Sequence, residues 1–280
     1  MKTRVISGTV IGVLTVVFGL LGGPALGMLL MICACAAYLE LTKAMGLARE
    51  GGAPGALQVT GLVFTVAYYV ALVLSDHFFG GVPHAQIALF AVVACFIVMM
   101  AFYVFGFPRF HAGQITAAVF CFLYAPVLMS FIYRARLLPY GMFAYALIFF
   151  CSWICDTCAY FTGRLLGRHK MAPVLSPKKT IEGAIGGVLG SALFCFLTAI
   201  AMEKIYPDHQ LGVRVGFAVI GLIGGLISQI GDLAASAIKR DYGIKDYGNL
   251  IPGHGGMMDR FDSAIYMAPV IYFLATVVLK

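Results

Sequence analysis

The sequence predicts an all-α fold: a polytopic bundle of about nine transmembrane helices, forming a single integral-membrane domain over residues 1–280. Three observations predict it. Of the 280 residues, 61% are hydrophobic and only 11% are charged, and the mean hydropathy is +0.95, which excludes a water-soluble globule. The apolar residues fall into runs close to the ~20 residues that a helix needs to cross a bilayer. These runs are too long and too uniformly apolar for barrel strands, and backbone groups in lipid must be satisfied within their own segment, so helices remain.

Nine runs meet the criterion: 5–22, 24–42, 56–75, 85–105, 114–133, 138–160, 183–202, 215–238 and 263–279. The first follows Met-Lys-Thr-Arg in the manner of a signal peptide. The second begins after only Gly22-Gly23-Pro24, so the first is read as a retained helix. Residues 1–135 read as scaffold helices and 138–280 as the catalytic part. Within the scaffold, Glu40 is expected to pair with Lys43 or Arg4. The aromatic segment 76–84, with His77 and His84, reads as interfacial, and Arg134 and Arg136 read as boundary anchors. All eight cysteines lie in apolar runs. Cys155 and Cys158 form a C-x-x-C with no second pair and no His at a zinc-like spacing, so they read as small apolar helix residues.

With the N-terminus inside, fourteen of the 19 Lys and Arg residues fall on inside segments and five outside, which satisfies the positive-inside rule. The net charge of +7 therefore reflects topology and attraction to anionic headgroups, not nucleic acid.

The sixth run ends in polar chemistry. Asp156, Tyr160 and Gly163 or Arg164 share one helix face, and an aspartate inside a membrane run is costly unless paired or hydrated, so Asp156 reads as a site residue. A basic loop follows, in which Ser176-Pro177 favours a turn and Lys178, Lys179 and Thr180 stand at the mouth of the next helix. Two lysines and a hydroxyl beside the N–H groups of a helix start make a phosphate site. The next two helices carry Gly183, Gly186, Gly187, Gly190, Gly221, Gly224 and Gly225, whose spacing allows close helix packing in lipid.

Ser228 to Asp262 concentrates five aspartates, four Lys or Arg and one His in 35 residues. Ser228, Asp232 and Ser236 lie four residues apart on one helix face, and Lys239 or Arg240 continues the stripe. A Gly/Pro/Asn-rich loop follows, and then Asp259, Arg260 and Asp262 open the last run. Carboxylates this concentrated repel unless a cation sits among them, and Mg²⁺ takes one or two carboxylates plus substrate phosphates. Lys239, Arg240, Lys245 and Arg260 supply charge for phosphate oxygens. Gly253, Gly255 and Gly256 let backbone approach a polyphosphate. Together these parts describe metal-assisted phosphoryl or nucleotidyl transfer at a membrane surface. A plainer alternative, Asp259 as N-cap and Asp262 in the first turn of the last helix, accounts for two aspartates only.

Ser236-x-x-Lys239-Arg240-x4-Lys245-Asp246 followed by Pro252-Gly253-His254-Gly255-Gly256-x-x-Asp259-Arg260-x-Asp262 closely resembles the signature of phosphatidate cytidylyltransferases, also called CDP-diacylglycerol synthases. Asp156-Thr-x-Ala-Tyr-Phe-x-Gly-Arg and Ser176-Pro-Lys-Lys-Thr-x-Glu-Gly are similar to that family as well. The resemblance covers 152–262. It implies transfer of CMP from CTP to phosphatidate, with pyrophosphate leaving. It also implies a cation pair of Mg²⁺ with K⁺ as second cation on Asp232 and Asp259, and support from Asp156, Asp246 and Asp262. Ser176, Lys178, Lys179, Thr180, Ser236, Lys239, Arg240, Lys245, Arg260, Gly255 and Gly256 would engage the two phosphorylated substrates. His254 either donates to a phosphate or braces the glycine loop. CTP, phosphatidate and the lipid bilayer are the expected partners and a homodimer is admitted. The expected location is a bacterial inner membrane, with the active site facing the cytoplasm.

Two rival classes share parts of this pattern. A CTP-dependent lipid-alcohol kinase would transfer the γ-phosphate, against which the full signature speaks. An ion-coupled transporter would also hold intramembrane acids, but its groups should cross the membrane rather than gather on one face.

Overall fold

Long runs of Leu, Val, Ile, Phe and Ala, whose backbone groups can be satisfied only within their own segment, fold as helices almost throughout. A computed structural model describes the backbone of residues 2–48, 54–78, 82–205 and 211–278. Arg49, residues 79–81 and Lys280 lie outside the described residues, as do the side chains of Lys2, Arg4 and His77. Eight helices among the described residues are long and apolar enough to cross a membrane, with a shorter apolar stretch, Ile6–Leu21, before them. The fold is an all-α integral-membrane bundle.

The chain divides into two compact units: Met1–Tyr133 with Tyr242–Arg260, and Arg134–Asp241 with Phe261–Lys280. The glycine loop groups with the N-terminal helices, a placement that the sequence reading did not anticipate.

The first unit contains α1 (Lys2–Leu21), α2 (Gly23–Ala44), α3 (Ala56–Phe78), α4 (His84–Phe105) and α5 (Ala112–Phe122). A π-helical turn, Leu123–Val127, leads from α5 into α6 (Leu128–Arg136). Left-handed backbone at Gly22 (φ 61°) and Gly23 (φ 46°) makes the short break between α1 and α2. The π turn surrounds Pro126, which has no N–H to give the helix ladder, and the Pro126 carbonyl accepts from the Tyr69 hydroxyl at 3.1 Å. Buried polar groups in this unit find partners inside it. Gln58 Nε2 donates to Thr42 Oγ1 at 2.8 Å, Tyr68 meets Ser130 at 2.7 Å and Ser75 meets His84 at 2.8 Å.

The second unit contains the end of α6, α7 (Gly141–Leu166), a hairpin of β1 (Lys170–Ala172) and β2 (Ser176–Thr180), α8 (Ile181–Ile205), α9 (Leu211–Asp241) and most of α10 (Met258–Val278). Helices α7, α8 and α9 pack against one another through glycine. A Cβ on Gly183 would lie 2.7 Å from the Ala159 carbonyl, one on Gly187 2.7 Å from the Cys155 carbonyl, and one on Gly221 2.6 Å from the Ser191 carbonyl. At these three glycines only a hydrogen fits where the backbones meet, while Gly186 and Gly190 face the Thr162 and Cys158 side chains and Gly224 meets only the Met267 and Ile271 side chains.

Three local readings change. The sixth run continues to Leu166 and the last begins at Met258, so both ionic stretches sit on helices. The basic loop is a β-hairpin: Ser176 and Pro177, read as a turn, begin its second strand instead, the turn falling at 173–175, and Lys178, Lys179 and Thr180 follow on that strand directly before α8. Arg134 is not a boundary anchor: it is 5% exposed, its guanidinium lies 4.6 Å from the Tyr272 ring centre, and it donates to the Tyr272 hydroxyl at 3.4 Å. A cation over an aromatic face satisfies the charge without water.

Candidate active site

In the second unit the chemistry begins at the hairpin. Proline is tolerated at a strand edge, which admits Pro177 in β2, and Lys170 pairs with Thr180 and Ala172 with Ser176. Glu182, in the first turn of α8, fastens the base of the hairpin. It accepts from the Arg168 N–H at 3.0 Å, the His169 N–H at 3.2 Å and the His169 ring at 2.6 Å. Thr180 Oγ1 accepts from the Gly183 N–H at 3.2 Å and so caps α8. It occupies a notch made by Gly163, Gly167 and Gly183, each of which would bring a Cβ to within 2.9 Å of that oxygen.

This construction opens a cavity of about 300 Å³ lined by Asp156, Tyr160, Arg164, Lys178, Lys179 and Thr180. The face read on α7 and the basic segment before α8 thus meet at one place. Lys179 forms an ion pair with Asp232 of α9, both side chains being roughly one-quarter exposed. Gly231 is where α10 crosses α9: a Cβ there would lie 2.9 Å from the Asp262 carbonyl and from Tyr266. The crossing brings Asp262 into electrostatic contact with Asp232 and Asp156. Lys179 and Lys239 partly offset the mutual repulsion of these three acids. Gln229, which the sequence reading passed over, lines the same cavity and donates to the Ala184 carbonyl at 2.9 Å, tying α9 to α8. Its only sequence signal is an amide inside an apolar run.

In the first unit the loop after Asp241 folds on local rules. Ile251-Pro252-Gly253-His254 is a tight turn closed by His254 N–H to the Ile251 carbonyl at 2.9 Å, with Pro at its second position and Gly253 at φ 79°. Gly255, at φ 82°, bridges back to Ile251. The turn borders a cavity of about 560 Å³ lined by Lys245, Asp246, Asn249, Pro252, His254 and Arg260. Ser7 of α1 donates to the Pro252 carbonyl at 3.0 Å and meets His254 Nδ1 at 2.7 Å. A hydroxyl has one proton, so with that proton on Pro252 the Ser7 oxygen accepts from Nδ1–H. His254 therefore braces the loop and also borders the cavity.

Asp259 is buried, and its Oδ2 accepts from the Tyr247 N–H at 2.8 Å and the Gly256 N–H at 3.0 Å. It is not the N-cap of α10; it lies in the first turn and reaches back three residues, as a capping-box acid does. Asp262 Oδ1 accepts from the Ser263 N–H at 2.7 Å. Glu40 forms no ion pair with Lys43 among the described residues. It accepts from the Met257 N–H at 3.0 Å and the Met258 N–H at 2.9 Å. Gly256, expected to lie open to substrate, is packed on the Glu40 carboxylate, which a Cβ would overlap. Ser176, Ser236, Lys239, Arg240 and Gly256 line neither cavity, nor do the carboxylates of Asp232, Asp259 and Asp262.

The acids offer oxygen ligands alone, the donor set of a hard divalent cation. Among the described residues no group of three or more His, Cys, Asp or Glu is arranged as a protein cage. Mg²⁺ takes one or two such carboxylates and keeps its other sites for water and phosphate. The eight cysteines are free thiols, six of them buried and five of those at 0% exposure, which fits their reading as small apolar residues.

Sequence comparison adds an independent observation. The chain matches the cytidylyltransferase family over residues 2–278. It is 32% identical over 277 residues to a protein named phosphatidate cytidylyltransferase from Staphylococcus aureus (strain COL), covering 98% of each chain. A protein of the same name from Staphylococcus haemolyticus (strain JCSC1435) is 30% identical over 276 residues, again covering 98% of each. With a match across nearly its whole length and a lysine–aspartate cavity built on its signature residues, the chain belongs to the cytidylyltransferase family.

Proposed function

We propose that the protein transfers CMP from CTP to phosphatidate, giving CDP-diacylglycerol and pyrophosphate. The observation that carries this reading is the cavity at the start of α8. There Lys178, Lys179, Arg164 and Thr180 offer an anion site at the end of membrane helices, and an acid from α9 is paired to one of the lysines. A phosphate on Lys179 and a cation on Asp232 can replace their ion pair with no change in net charge.

The phosphate of phosphatidate is already an anion, so attack on the α-phosphorus of CTP needs no strong base. Positioning and charge neutralisation carry the rate. Lys178, Lys179 and Arg164 orient phosphate at the α8 terminus, where the backbone N–H groups add to the field. Lys245, Arg260 and His254 hold phosphate oxygens on the loop, and Lys239 and Arg240 add positive charge at the end of α9. Asp232 and Asp259 are the residues proposed to hold Mg²⁺, with K⁺ as second cation. Mg²⁺, when bound, neutralises phosphate charge and polarises the phosphoryl group under attack. Asp156, Asp246 and Asp262 act in support. By the positive-inside count the basic loops face the cytoplasm of a bacterial inner membrane.

The test is CTP- and Mg²⁺-dependent pyrophosphate release by purified protein in phosphatidate micelles, beside Asp232→Asn and Asp259→Asn. Activity that needs phosphatidate and collapses in both variants supports the reaction and the site. Wild-type activity with both variants unimpaired keeps the reaction and removes the site. Release of CDP in place of pyrophosphate would make the protein a kinase.

A further inference from the structure

Glu40 is a carboxylate in an otherwise apolar stretch of a scaffold helix, where an acid is costly unless something repays it. Its partners are backbone groups far along the chain: Oε1 accepts from Met257 N–H at 3.0 Å and Oε2 from Met258 N–H at 2.9 Å. Both are orphan donors of the α10 N-terminus, so the negative charge also lies against the positive end of a helix dipole. Two glycines of the loop are shaped to this carboxylate. A Cβ on Gly248 would come to 2.5 Å from Oε1, and one on Gly256 would overlap the carboxylate. One side chain of α2 thus grips the loop near both ends. Between the grips lie His254 and the Ile251–His254 turn, and immediately beyond the second lie Asp259 and Arg260. Asp259 in turn takes the Gly256 and Tyr247 N–H groups.

We propose that Glu40 is a positioning residue of the active site, which sets the height and rotation of the Asp259–Arg260 turn through the backbone of residues 256–258. The inference rests on the cytidylyltransferase reading. It assigns α2 a part in catalysis that a scaffold role does not include. Gln at this position keeps the size but turns an amide N–H toward at least one backbone N–H, so the turn must shift. Asp keeps the charge and both acceptors on a shorter arm.

The experiment uses the full chain in phosphatidate micelles, with kcat, KM for CTP and thermal midpoint measured for Glu40→Gln, Glu40→Asp, Gly256→Ala and the double variant Glu40→Gln/Gly256→Ala. A misplacement near 1 Å costs about 10²-fold, so Glu40→Gln should lose about that factor in kcat in the fraction that remains folded. Glu40→Asp should recover much of it. Gly256→Ala displaces the same carboxylate from the other side and should give the same signature, and the double variant should be no worse than the worse single one. Losses that merely track the folded fraction, equal activity of Asp and Gln variants, or multiplying effects in the double variant would overturn the proposal. An active wild type with unaffected Glu40 variants removes this inference alone; a wild type that makes no CDP-diacylglycerol removes the functional reading as well.

Discussion

Lys179 on the hairpin and Asp232 on α9 form an ion pair, although they lie 53 positions apart and neither helix nor strand pattern links them. Each neutralises a charge that would otherwise be stranded beside apolar helices, and each is the type of group that a metal-bound phosphate would take over. Asp232→Asn should lower kcat by about 10²–10³-fold, the usual effect of deleting one preorganised charge. Lys179→Ala should raise KM for phosphorylated substrate as well. Steady-state kinetics at saturating Mg²⁺ check both, and a kcat within about threefold of wild type for Asp232→Asn would refute the assignment.

Asp259 has two duties that one substitution can separate. Asn retains an oxygen that can accept the Tyr247 and Gly256 N–H groups, whereas Ala leaves both donors buried and unmet. Asp259→Asn should keep the thermal midpoint near wild type and lose activity with a weakened Mg²⁺ response. Asp259→Ala should lose stability too, by about 1–3 kcal/mol. Equal thermal midpoints for the two would show that the loop does not depend on this anchor.

The contact of Ser7 with Pro252 and His254 predicts a milder effect. Ser7→Ala removes one donor and one acceptor, about 0.5–1.5 kcal/mol in all. The loop should loosen, seen as faster hydrogen exchange across 251–255 and a few-fold fall in kcat/KM for CTP. Unchanged exchange would show that α1 does not restrain the turn.

Gly183 tests the helix packing. Its Cβ would press on the backbone carbonyl of Ala159 at 2.7 Å and on the Thr180 side-chain oxygen at 2.9 Å. Gly183→Ala should destabilise the protein in detergent by about 1–3 kcal/mol and disturb the α8 cap. An unaltered thermal midpoint would mean that α7 and α8 separate there without cost.

Glu182→Ala should free the base of the hairpin. The Arg168 and His169 N–H groups lose their acceptor, so exchange should rise across 168–180 while the helices stay protected. Substrate KM should rise because Lys178 and Lys179 ride on the second strand. Protection equal to wild type would assign the hairpin's order to the strand pairing alone.

The sequence by itself determined the class of fold, because hydropathy and the demand that backbone in lipid satisfy itself act on each segment separately. It likewise determined the irregular Gly/Pro/Asn-rich loop after α9 and the basic chemistry before α8, which follow from neighbours in the chain, and its glycine spacing marked α8 and α9 for close packing, while the backbones those glycines meet were a tertiary matter. Tertiary structure decided the partners of the acids. Glu40 has a basic residue nearby in sequence, yet it binds N–H groups more than 200 positions away, since a helix N-terminus offers two donors and the positive end of its dipole. Gln229 and Arg134 carry no pattern that distinguishes them from anchors or filler. A carboxylate's partner is chosen by whichever donor the fold brings within about 3 Å, and a one-dimensional pattern holds no record of that distance.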